Sequence, residues 1–98
     1  MNRSYNKGYR FERRVRKYLE KKGYKVFRLA GSKPADLIAM DNNKIYIIEC
    51  KADKKPRKSA LEKIIELSKG TPAKPVIAIR INRKIRFIDP YSGEETYI

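Results

Sequence analysis

The sequence predicts an α/β (α+β) sandwich, with two helices flanking a mixed five-stranded sheet in the order αβββαββ. Three observations carry this. Apolar residues recur at helical spacing in two segments, through Phe11, Val15, Tyr18 and Leu19 and again through Leu61, Ile64 and Ile65. Five other runs are rich in β-branched and aromatic residues and are bounded by Gly, Pro, Asn or charged stretches, the signature of strands. Two of these runs, "IYII" and "VIAI", are apolar at successive positions, as in strands covered on both faces.

The first helix is expected from about Tyr5 to Lys22, closed by Gly23 with lysines in its last turn. At about 100° per residue, Glu12 falls at the edge of the apolar stripe beside Val15 and Leu19, whereas Arg13, Arg14, Arg16 and Lys17 point away. Gly8 leaves a flat spot one turn before Glu12. "YKVFRL" reads as a strand and "AGSKPA" as a loop. "DLIAM" and "KIYIIECK" form a hairpin in which Asn42 and Asn43 suit the positive φ angles of a tight turn. The basic loop "ADKKPRK" precedes the second helix, "SALEKIIELSKG", with Ser59 as its cap and Gly70 as its stop. "KPVIAIRI" and "KIRFIDP" end the chain as two strands around Asn82 and Arg83.

At 98 residues the chain is expected to be one domain, 1–98, with one modest core. No apolar run approaches the ~20 residues of a membrane span, and the N-terminus lacks the apolar segment of a signal peptide, so the expected compartment is the cytoplasm. One cysteine cannot staple the fold, and the lack of histidine removes the usual zinc ligands. Any metal should be hard and oxygen-bound. Charge is the strongest global signal: 25 Lys+Arg against 11 Asp+Glu give +14, which favours a polyanionic partner, nucleic acid first. The excess is clustered, with ten basic and two acidic residues from Met1 to Lys25 and five against one from Lys51 to Lys58.

The strand "KIYIIECKAD" carries Glu49, Cys50 and Lys51 in a row, and burying such charges costs several kcal/mol each unless they are paired or bind a metal. If Asn42 and Asn43 form a two-residue turn, Met40 faces Ile45 and Asp36 faces Glu49. Directly opposed carboxylates repel, their Cβ atoms being ~5 Å apart. A divalent cation relieves that repulsion, and two carboxylates plus a carbonyl and water are an ordinary ligand set for Mg²⁺. Alternation puts Lys51 on the Glu49 face, where an ammonium can position a water or stabilise charge on a phosphate, and turns Cys50 to the other face as a small core residue whose carbonyl can serve the cation.

An acid opening one strand, a turn, then Glu-x-Lys on the next resembles the PD-(D/E)xK nuclease superfamily, and Glu12 on the first helix strengthens the likeness. The stretches "FERRVRKYLEKKGYKVFRLAGS", "ADLIAM", "IIECK", "PVIAIRI" and "RFIDP" resemble the archaeal Holliday junction resolvases over about Lys7 to Pro90. The resemblance implies a restriction-endonuclease-like core and a homodimeric, Mg²⁺-dependent endonuclease, with Mn²⁺ as a substitute, making paired nicks in four-way junction DNA. Its active-site residues match Glu12, Asp36, Glu49 and Lys51, with Arg13 as the basic neighbour and Ser32 as a serine in a mobile loop; Glu12 and Cys50 join Asp36 and Glu49 in the expected metal site. Lys7, Arg10, Arg13, Arg28, Ser32, Lys33, Lys54, Lys55 and Arg57 are the expected DNA contacts. Such an enzyme acts on nucleoid DNA, needs no small-molecule cofactor and does not bind a membrane. Two features depart from the pattern: Pro34 is displaced from Asp36 by Ala35, and the second helix lacks the glutamine seen in related nucleases.

Each residue also has a plainer reading. Glu12 can pair with Arg16 at i+4, Asp36 can be a turn residue after Pro34, Glu49 and Lys51 can be a surface ladder, and "GSK" can be a flexible loop. Another nuclease of the superfamily, or a small basic non-catalytic nucleic-acid binder, shares the length and charge. The binder gives no reason for an acidic pair to face a lysine on one sheet face. Paired cutting requires two sites, and the second helix has surplus apolar width at Ala60 and Leu67 that can seal a dimer, with Phe87, Tyr91, Tyr97 and Ile98 adding area.

Overall fold

The computed structural model describes residues 3–32, 34–52 and 55–98, with side chains from residue 8 onward except that of Ser32. Helix α1 spans Arg3–Lys21 and is followed by strand β1, Lys25–Arg28. A single 3₁₀ turn, Ala30–Ser32, occupies the start of the expected loop. Strands β2, Leu37–Met40, and β3, Ile45–Lys51, lead to helix α2, Lys58–Ser68. Strands β4, Lys74–Ile81, β5, Lys84–Ile88, and a two-residue β6, Glu95–Thr96, complete the order. The sheet runs β1-β2-β3-β4-β5-β6, antiparallel throughout except for the β3–β4 pair joined through α2. The sheet is therefore mixed, as expected, with a sixth strand added. β6 escapes the sequence pattern because it is a two-residue edge strand returned by the Gly93 turn at φ 76°.

Two apolar clusters lie on opposite faces of the sheet. Phe11, Val15 and Leu19 of α1 pack on Leu37, Ala39, Tyr46, Ile48, Val76, Ala78 and Phe87. Ile64 of α2 packs on Ala35, Ile77 and Ile79, with Leu61, Leu67 and Ile47 at its margin. Burying each large side chain contributes about 2 kcal/mol, so both helices are held by packing more than by propensity. This spends much of the surface assigned to a dimer: Phe87 is 4% exposed, Leu67 packs under α2, and Ile98 joins the α1 cluster. Only Tyr91 and Tyr97 of that group stand free, at 65% and 84% exposure.

Gly23 ends α1 as expected: at φ 100° it lets its own N–H donate to Glu20 O and that of Tyr24 to Leu19 O, a Schellman closure. The cap of α2 is Arg57, without a side-chain hydrogen bond, and Ser59 lies inside the helix. The positive φ pair is at Asn82 and Arg83, between β4 and β5, and not at Asn42–Asn43. In the β2–β3 turn Asp41 instead accepts the Asn43 and Lys44 N–H groups on Oδ1, so an Asx turn supplies what left-handed backbone would have. Among the described residues no helix is long and apolar enough to cross a membrane.

Candidate active site

The β2–β3 register pairs Met40 with Ile45 and Leu37 with Ile48, as the turn arithmetic requires. Asp36 therefore sits one residue beyond the ladder, opposite Glu49. Three bonds fix it there: its N–H donates to Ile48 O, its carbonyl accepts from Leu29 N–H, and its Oδ2 accepts from Cys50 N–H at 2.8 Å. At 7% exposure, Asp36 has little water to solvate its charge.

Glu49 responds to this neighbour. Burial first, then a hydrogen bond with Asp36 and the Asp36 charge, push its carboxyl up to about 8, while Lys51 and Lys63 pull in the opposite direction. Glu49 therefore holds its proton more tightly than an ordinary carboxyl. Both carboxylates are hard oxygen donors, and the chain's lack of histidine makes the pair suited to Mg²⁺ or Mn²⁺ and unsuited to a zinc centre. Cys50 faces the α1 cluster, and burial, followed by the charges of Asp36, Glu12 and Glu49, pushes its thiol well up, so it is no thiolate at neutral pH.

Glu12 is 7% exposed, as its place at the stripe edge required, but its partner is neither Arg16 nor a carboxylate. Arg28 Nε donates to Glu12 Oε1 at 2.6 Å, and the Arg28 guanidinium lies 5.1 Å from the centre of the Tyr9 ring. Arg16 is drawn partly inward on the same flank, where its Nε is buried without a partner among the described residues. Among the described residues no three acidic or thiol side chains gather as a metal-ligand cluster. The expected four-residue set is thus divided: Asp36 and Glu49 meet, Cys50 presents its backbone, and Glu12 stands against Arg28.

A cleft of about 480 Å³ opens beside Glu49 and Lys51, bordered by Lys55, Arg57 and Lys63. Lys55 and Arg57 were expected near the substrate path; Lys63 was not, because a lysine beside a core isoleucine on a helix has no motif to mark it. Arg10 and Arg13 are exposed on α1. Lys33 and Lys54 lie outside the described residues, and Lys7 and Ser32 are described in backbone only.

Opposed acids at the ends of β2 and β3, with a lysine two residues on, place the fold in the class of PD-(D/E)xK nucleases. Within that class the chain belongs to the archaeal Holliday junction resolvase family, whose model matches residues 3–97. It is 41% identical over 95 residues to the crossover junction endodeoxyribonuclease Hjc of Methanocaldococcus jannaschii, a match covering 93% of this chain and 71% of that protein. The solved structure of Hjc from Archaeoglobus fulgidus, a Holliday junction resolvase from an archaeal hyperthermophile, superposes with a TM-score of 0.75 at 27% identity, covering 93% of this chain and 79% of that one.

Proposed function

We propose that residues 1–98 form one nuclease domain that resolves four-way DNA junctions by paired phosphodiester cleavage, acting as a divalent-metal-dependent homodimer on cytoplasmic, nucleoid DNA. The observation that carries this is the buried Asp36 in hydrogen-bond contact with Glu49, beside Lys51 and at the edge of a basic cleft. The names of the relatives support the junction as substrate.

Asp36, Glu49 and the Cys50 carbonyl would hold Mg²⁺, with Mn²⁺ equally suited to these donors. When bound, the ion supplies Lewis-acid polarisation of the scissile phosphate. Asp36 is pre-oriented by the Cys50 N–H, so its carboxylate need not reorganise. Lys51 donates hydrogen bonds to the attacking water or to phosphate oxygens on the Glu49 face. Glu12, oriented by Arg28, would hold a further water or a second cation. Ser32, Lys7, Arg10, Arg13, Arg28, Lys33, Lys54, Lys55 and Arg57 would be the phosphate contacts; a +14 chain binds such a polyanion through counterion release. The dimer would use the partly exposed apolar row on the α2 face, where Phe27, 52% exposed, lies opposite Ile38.

Cleavage of four-way, Y-shaped and linear duplex DNA in Mg²⁺ tests the reading. Paired cuts in the four-way substrate are expected. Equal cutting of all three points to a general nuclease, and binding without cutting to a basic binder.

A further inference from the structure

Lys63 stands one residue before Ile64, the α2 side chain buried against Ile77 and Ile79, so it is carried at the margin of the helix's packed face. It is exposed, and it borders the same cleft as Glu49, Lys51, Lys55 and Arg57. Its charge is felt by the Glu49 carboxyl, which places the ammonium toward the acid pair. Among the described residues no hydrogen bond or ion pair holds it. Lys69, the C-cap of the same helix, is by contrast tied to Glu66 at 3.3 Å.

Four cations and one acid around so small a cleft repel each other unless an anion enters. A volume of about 480 Å³ admits a phosphodiester with its sugar and is too small for a duplex. We propose that Lys63 is a DNA-phosphate ligand, gripping from α2 the backbone that Lys51 meets from β3. This rests on the nuclease reading above. The contact positions the strand across Glu49 and gives α2 a part in substrate binding that the strand-borne motif does not include.

Junction binding without divalent ions, measured as log K against log salt, tests this with Lys63→Gln, Lys63→Arg and Lys69→Gln. Loss of one phosphate contact flattens the slope by about 0.9. Lys63→Gln should show that change, Lys63→Arg should keep the wild-type slope, and Lys69→Gln, with the same loss of net charge, should remain near wild type. In Mg²⁺, Lys63→Gln should raise KM several-fold and leave kcat nearly unchanged. Equal slopes for Lys63→Gln and Lys69→Gln overturn the proposal, as does a fall in kcat at constant KM, which would mean that Lys63 acts only on Glu49. A wild-type protein that binds junctions and cuts nothing defeats the nuclease reading, yet the slope comparison still decides Lys63.

Discussion

Raising the pH through the neutral range should destabilise the metal-free protein by ionising Glu49. Burial and the contact with Asp36 hold its folded-state carboxyl up to about 8, against an ordinary value of 4.5. Between those values the unfolded chain has released the Glu49 proton and the folded chain keeps it, so the native state binds more protons and the free energy of unfolding falls as pH rises. The contribution is fully present below pH 4.5 and lost by the time the pH passes about 8. Each pH unit in that window is worth up to ~1.4 kcal/mol, and because Glu49 is only partly buried, solvent screening brings the whole to about 2 kcal/mol. Urea unfolding of wild type and Glu49→Gln in EDTA, from about pH 4 to about pH 8, isolates the effect, since titrations not coupled to Glu49 cancel in the difference. Wild type should lose about 2 kcal/mol relative to the variant across the window, and added Mg²⁺ should restore stability most at the alkaline end. A difference that stays flat with pH would refute the raised Glu49 carboxyl and, with it, the close carboxylate pair.

Three further outcomes follow from the same geometry. Arg28→Ala leaves the Glu12 carboxylate buried without its guanidinium partner and should cost about 1–2 kcal/mol by urea unfolding, the exposed half of Arg28 limiting the loss; an unchanged midpoint would mean that Glu12 finds another partner. Neutralising Lys55 and Arg57 together should flatten the salt dependence of junction binding by about 1.8, and an unaltered slope would turn that loop away from DNA. Phe27→Glu should shift a dimer toward monomer in sedimentation at micromolar concentration without unfolding it, since Phe27 is half exposed; an unchanged mass would place the interface elsewhere.

Much of this was legible in the sequence because it depended on local periodicity. Turn length alone fixed the β2–β3 register and set Asp36 against Glu49, alternation sent Cys50 and Lys51 to opposite faces, and the 3.6-residue period brought Glu12 inward. Gly23 marked the end of α1 because no other residue closes that turn cheaply. What escaped depended on contacts between distant segments or on competing turn chemistry. The Glu12–Arg28 pair spans sixteen residues and needs α1 laid on β1 before the side chains meet. The Asn42–Asn43 turn was decided by the neighbouring Asp41 carboxylate, which captured two N–H groups. Leu67, read as surplus apolar width on α2, packs partly against the Ile64 cluster, a contact between segments that helical periodicity alone does not show. Lys63 was hidden by being an ordinary helical lysine until the fold brought it beside Glu49.

The most direct test of whether the Asp36–Glu49 pair is the catalytic centre is single-turnover cleavage of a four-way junction by Glu49→Gln in Mg²⁺, with junction binding measured on the same samples. Glutamine keeps the size and hydrogen-bonding capacity of the protonated Glu49 side chain, so the fold and the basic surface should be spared and the variant should bind like wild type while losing cleavage by at least about a hundredfold. Cleavage by Glu49→Gln at the wild-type rate would show that the chemistry lies elsewhere on the chain.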